Sequence, residues 1–181
     1  MIRPCRFYDF ENAKLGRLSF ITRATDLTTC AYVAPRVNSV DELAYVLNTG
    51  DWLASAEYKV HAPEANMVAF YRTEEKPSYI NVDSKLVWCQ SAVAGKHLGT
   101  SVLDGVINDA RGNFGVDSMN GVSLERAIGF YKKYGVTFDA RMENDFLIEN
   151  LKKRVLKHSF HLDPVKSNIT TEIINSKGRF Q

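Results

Sequence analysis

The chain has 181 residues, 45% of them apolar and 11% aromatic, with 23 basic side chains against 21 acidic for a net charge of +2. These are the values of one ordinary globular domain, or one domain with an appendage, and they exclude disorder over most of the length. The longest stretch without Asp, Glu, Lys or Arg, Leu86–Gly95, has ten residues, against roughly 20 for a membrane helix.

Charges at Arg3, Arg6, Asp9, Glu11, Lys14 and Arg17 leave no apolar signal-peptide core at the start, so a soluble, cytoplasmic chain is expected. Ile2–Phe7 predicts a short strand. Asp9–Phe20 then predicts a helix capped by Asp9, with Phe10, Ala13, Leu15 and Leu18 on its apolar side. Residues 21–36 fit neither period. Ser39–Asn48 predicts a helix: Ser39 stands at the N-cap, Glu42 at the capping-box position, and Val40, Leu43, Ala44 and Leu47 form the stripe. Leu53–His61, Asn66–Thr73 and Tyr79–Gln90 are rich in β-branched and aromatic residues. Pro63 and Pro77 fall in the breaks between them, which predicts an antiparallel meander.

The second half changes character. Thr100–Arg111 predicts a helix, Phe114–Met119 a strand, Leu124–Tyr134 a helix closed by Gly135, and Val136–Arg141 a further strand. Met142–His158 predicts another helix, with Phe146, Ile148, Leu151, Val155 and Leu156 facing inward. The whole reads as a mixed α/β (α+β) chain with a central mixed sheet.

Residues 136–181 hold eight basic and six acidic side chains, and Lys152–Lys166 has five basic residues against Asp163 alone. Such a run is a solvated face or a patch for an anion or partner; no signature of a sequence-specific nucleic-acid reader accompanies it. Cys5, Cys30 and Cys89 are far apart and lack histidines at ligand spacing. They read as reduced thiols, with no disulfide framework and no metal site.

The segment with most chemical content is Leu86-Val-Trp-Cys-Gln-Ser-Ala-Val-Ala-Gly-Lys-His-Leu-Gly99, which empties into the Thr100 helix. A strand that turns through glycines into a helix N-terminus leaves backbone N–H groups and a positive dipole end facing outward, an anion site. Gly95 and Gly99 permit close approach of a phosphate and Lys96 adds charge. Neither G-x-x-x-x-G-K-[ST] nor G-x-G-x-x-G is present.

About 25 residues on comes Ala127-x-x-x-Tyr131-x-x-x-Gly135-Val136. Together with Ala94-Gly-Lys-His-Leu-Gly99 and the opening Ile2–Asp9, this resembles the GNAT family of N-acetyltransferases over roughly residues 1–140. The resemblance implies a GNAT-like acetyltransferase domain at 1–140 followed by a basic helical extension at 141–181. It implies an antiparallel N-terminal meander, a splayed parallel pair formed by Leu86–Gln90 and Phe114–Met119, and flanking helices. It implies acetyl-CoA as co-substrate, held through Cys89, Gln90, Val93, Ala94, Gly95, Lys96, His97, Leu98, Gly99 and Thr100. Tyr131 stands where the family has the acid that protonates the leaving thiolate, and Asp83, or failing it Glu57, is the candidate base.

The loop departs from the family pattern at Ala94, where the family has arginine, and at His97, where it has its middle glycine. Two readings follow. One is an N-acetyltransferase acting on a primary amine, small molecule or peptide; the other is a catalytically degenerate GNAT-like domain serving as a binding or structural protein, as in phage virions. Neither implies a membrane or a specific nucleic acid. The Met142–His158 helix is the expected surface for a homo-oligomer or protein partner.

Overall fold

The computed structural model describes residues 5–24, 28–61, 64–72, 96–123, 125–141, 144–169 and 172–174. Its strands are β1 (Cys5–Asn12), β2 (Gly16–Ala24), β3 (Thr29–Pro35), β4 (Ala54–His61), β5 (Glu64–Arg72), β6 (Ser118–Val122), β7 (Thr137–Phe138), β8 (Asp145–Ile148) and β9 (Phe160–Leu162). The helices are α1 (Val40–Thr49), α2 (Leu98–Phe114) and α3 (Ile128–Tyr134), with short 3₁₀ turns at Glu125–Ala127, Leu151–Lys153 and Lys166–Asn168. One nine-stranded sheet runs β7-β8-β6-β5-β4-β3-β2-β1-β9. Every neighbouring pair is antiparallel except β5 and β6, which are parallel. The mixed sheet and its antiparallel meander are as expected. Among the described residues no helix is long and apolar enough to cross a membrane.

Residues 9–20 form a hairpin and not the expected helix. Asn12 makes the turn: its Oδ1 accepts from Lys14 N at 2.8 Å and Leu15 N at 3.0 Å, and Gly16 takes φ +76°. Phe10 and Leu18, assigned to one side of a helix, are direct cross-strand partners. The reason is that both faces of this sheet are covered. Cys5 and Phe7 are buried on one side, Tyr8 and Phe10 on the other, so the strand lacks the polar alternation that marks a half-buried one.

α1 forms as expected. Ser39 Oγ accepts from Glu42 N at 3.1 Å, Glu42 Oε2 accepts from Asn38 N at 2.7 Å, and Gly50 closes the helix at φ 75°. It lies on one face of the sheet with Ile21, Tyr32, Ile169 and Ile174. On the opposite face α2 presses Val102, Leu103, Val106, Ile107 and Ala110 against Phe20, Val33, Ala56 and Tyr58. α2 crosses so close that a Cβ on Gly105 would collide with the Phe20 ring.

Other boundaries shift. α2 runs on to Phe114 and ends at Gly115, φ 64°, so the strand expected at Phe114–Met119 begins at Ser118. The Leu124–Tyr134 helix opens as a 3₁₀ turn and ends, as expected, at Gly135. Of Val136–Arg141 only Thr137–Phe138 is strand. Met142–His158 does not form a helix. Phe146 and Ile148 alternate inward on β8, Asn150 turns the chain at φ 55°, and the chain then rises to β9 on the far edge of the sheet. Val155, assigned to the core, is 91% exposed. The third meander strand, Tyr79–Gln90, lies outside the described residues, and the parallel neighbour of β6 is β5.

Candidate functional site

The parallel pair is short. Glu64–Asn66 pairs with Ser118–Asn120, after which β5 continues to Arg72 and β6 to Val122 without further pairing between them. Three residues connect α2 to β6, so the helix runs back along β6, and its 17 residues span about 25 Å. Its first turn meets Asn12 at the β1–β2 turn and His158 ahead of β9, towards the opposite end of the strand order from β6.

Of the residues expected to hold the cofactor, Lys96, His97, Leu98, Gly99 and Thr100 are described. Cys89, Gln90, Val93, Ala94 and Gly95 lie outside the described residues, as does Asp83. His97 is the N-cap of α2 with φ 58° and ψ 27°, the left-handed region that glycine adopts freely. The His97 side chain makes no capping hydrogen bond, and the first turn contains no acid. The first intrahelical bond is Ser101 N to His97 O at 3.0 Å, so the N–H groups of Leu98, Gly99 and Thr100 have no partner within the helix, and the positive end of the dipole lies beside half-buried Lys96. This described part fits an anionic group.

Asn12 holds the loop from below. Its Nδ2 donates to Lys96 O at 2.9 Å and to Ser101 Oγ at 3.1 Å, while its Oδ1 makes the β1–β2 turn. Ser101 Oγ donates to His97 O at 3.0 Å. One turn further on, Asp104 is 1% exposed. Its Oδ2 accepts from Lys157 N at 2.9 Å and His158 N at 3.1 Å, with His158 Nδ1 also at 3.1 Å, and its Oδ1 accepts from the Tyr134 hydroxyl. Burial, then the Asp104 charge, raises Tyr134 well above the ordinary phenol range, so this hydroxyl stays a donor.

A second buried carboxylate stands lower on α2. Asp109 receives Arg6 Nε at 2.7 Å and Nη2 at 2.8 Å, Tyr8 OH at 3.0 Å, Asn113 Nδ2 at 2.9 Å and the Tyr58 hydroxyl. Burial, then Asp109, pushes Tyr8 up to about 12. This cluster ties α2 to β1 and β4.

Tyr131 lies on the α2 face, 5% exposed, its ring stacked on Phe146 at 4.4 Å and edge-on to Phe130 at 5.3 Å. Glu57 is paired with Cys30 across β3–β4 and shares that residue's face, the α1 side. The two candidates for acid and base thus stand on opposite faces of the sheet. Glu57 also borders a bulge: it faces Ala69 while Tyr58 faces Met67, leaving Val68 as the extra residue in β5. A cavity of about 560 Å³ opens beside the end of β6, lined among others by Asn120, Val122, Asp139, Asp145 and Phe146, the ring that stacks on Tyr131.

Asn12, Ser101, Asp104 and His158 were not predicted. Asn12 had a legible signal, an Asn-x-x-x-Gly turn before Gly16; the other three meet only through contacts 50 or more residues apart.

No family model matches the chain, and no curated protein does. Among solved structures, it is similar to an AtaT mutant toxin bound to the C-terminus of the antitoxin AtaR and acetyl-CoA (12% identity, 67% of this chain and 68% of that one, TM-score 0.42). It is similar also to the PaiA N-acetyltransferase from Thermoplasma acidophilum in complex with coenzyme A (15%, 68% and 60%, 0.41). A third is the ribosomal-protein-S18-alanine N-acetyltransferase from Escherichia coli (15%, 68% and 68%, 0.39).

Proposed function

We propose that this chain is an N-acetyltransferase of the GNAT type that moves an acetyl group from acetyl-CoA to a primary amine. The observation that supports it most is the N-terminus of α2, whose first turn holds no acid and whose N-cap His97 stands in a glycine-like backbone without a capping bond from its side chain. Lys96, His97, Leu98, Gly99 and Thr100 would hold the pyrophosphate through main-chain N–H groups and the Lys96 charge. Acetyl-CoA supplies the thioester carbonyl and the thiol leaving group. The phenol of Tyr131 is the nearest counterpart to the family's acid. Because Glu57 lies on the other face, it does not share a compartment with Tyr131. Asp83 is then the candidate base, or the amine arrives already neutral.

Turnover tests this: release of free thiol from acetyl-CoA in the presence of mixed primary amines and N-terminal peptides. Wild-type chain should release thiol in an amine-dependent way, and Tyr131→Phe should lower kcat at least tenfold while leaving KM for acetyl-CoA within about twofold. Equal kcat in the variant removes Tyr131 from the chemistry. The tight packing of Tyr131 between Phe146 and Phe130 favours a second reading, a CoA-binding module without catalysis, which binds acetyl-CoA but releases no thiol with any amine.

A further inference from the structure

Three segments distant in sequence meet at the first turn of α2, and the geometry points to His158 as a positioning residue for the anion site, acting through Ser101 on the backbone of His97. The inference rests on the phosphate-binding reading above. His158 precedes β9 and is 9% exposed. Its ring stands edge-on to Phe10 at 5.5 Å and lies 6.4 Å from Phe160. Main chain and ring are both anchored on Asp104 Oδ2, through Lys157 N, His158 N and Nδ1. A carboxylate offers these groups only lone pairs, so the ring proton sits on Nδ1. That leaves Nε2 facing Ser101 Oγ at 3.5 Å.

Ser101 has one hydroxyl proton and two acceptors within reach, His97 O at 3.0 Å and His158 Nε2 at 3.5 Å, while Asn12 Nδ2 donates into Oγ at 3.1 Å. The hydroxyl is thus boxed between β1, α2 and the chain ahead of β9. The carbonyl it holds belongs to the residue in the left-handed region. A non-glycine residue stays there only when its surroundings over-determine it, and the orientation of the first free N–H groups depends on it. The Ser101 proton goes to the nearer acceptor, His97 O, and the His158 ring fills the space on the other side of the hydroxyl; without the ring that buried space is empty and Ser101 can swing off His97 O. The ring is buried against Phe10, Phe160 and Ser101, so its loss acts on the first turn of α2, and through it on ligand affinity, and not on the chemical step.

The test uses the full chain with His158→Ala, His158→Gln and, as a control on exposed β9, His161→Ala. Calorimetric titration with acetyl-CoA should show at least a tenfold weaker affinity for His158→Ala, with KM raised alike and kcat within twofold. His158→Gln, whose amide fills part of the ring's space and can turn its oxygen towards Ser101, should recover most of that affinity, and His161→Ala should match wild type. Amide exchange at 98–101 should quicken selectively in His158→Ala, relative to β2. Wild-type affinity in His158→Ala, or a loss matched by equal loss of protection throughout β2 and β3, overturns the assignment. If His158→Ala does not fold, Ser101→Ala replaces it with the same expectation. If wild-type chain fails to bind acetyl-CoA, the functional reading falls and amide exchange alone decides: selective loss at 98–101 sustains the positioning role, and unchanged protection ends it.

Discussion

His97 carries a side chain in a backbone region where one costs about 1–2 kcal/mol, at the point where the anion site begins. Relieving that strain is informative. His97→Gly should raise the unfolding free energy by about 1 kcal/mol and leave acetyl-CoA affinity equal or improved, read by urea melts and calorimetry. A loss of affinity would mean that the imidazole itself touches ligand. Gly105 is the opposite case. Alanine normally gains about 1 kcal/mol over glycine inside a helix, but here its methyl would strike the Phe20 ring, and overpacking of a full core costs about 1–3 kcal/mol. Gly105→Ala should therefore lower the urea midpoint; a raised midpoint would show that α2 rides higher on the sheet than described.

At the scale of elements, what could be read from the sequence was whatever had a local cause. α1 was legible because Ser39, Glu42 and Gly50 make its caps within a dozen residues. The end of α3 was legible from Gly135. The β1–β2 hairpin was not, since Phe10 and Leu18, eight residues apart, satisfy a helical stripe and a cross-strand pair equally well. Residues 142–158 misled for a related reason. Leu151 and Leu156 continue a helical spacing, yet Phe146 and Ile148 obey period two, and the paired strand β6 decides between them. Tertiary pairing overrode local pattern in both places. The turn proposed to hold an anion was expected from Gly95, Lys96 and Gly99, but the contacts beneath its described part were not. Asn12 was legible only as a turn residue, and Asp104 and His158 meet through a contact 54 residues apart that local spacing does not mark.

Over the whole molecule, two buried carboxylates on α2 fasten both ends of the chain to one helix: Asp109 to β1 and β4, Asp104 to the segment before β9. The tyrosines that donate to them give the fold an alkaline limit. Tyr8, raised to about 12 by burial and Asp109, keeps its proton longer in the folded state than the ordinary phenol near 10. Its contribution is fully present below about pH 10 and is lost as pH rises through about 12. Stability followed by chemical denaturation should fall across that window, and Tyr8→Phe, less stable at neutral pH, should show a shallower fall. An unchanged slope would mean that other groups set the limit.

Binding of the acetyl-CoA phosphates at the N-terminus of α2, as proposed, is read by ligand-dependent melting. A ligand at a hundred times its dissociation constant stabilises the folded state by about 2.7 kcal/mol, which for a chain of this size raises Tm by roughly 5–10 °C. The wild-type chain should show such a rise with acetyl-CoA. Gly99→Asp should lose it while melting no lower on its own, because an acid in the first turn suits the helix dipole but repels phosphate. No rise in the wild type at millimolar acetyl-CoA, or an equal rise in Gly99→Asp, would contradict the account.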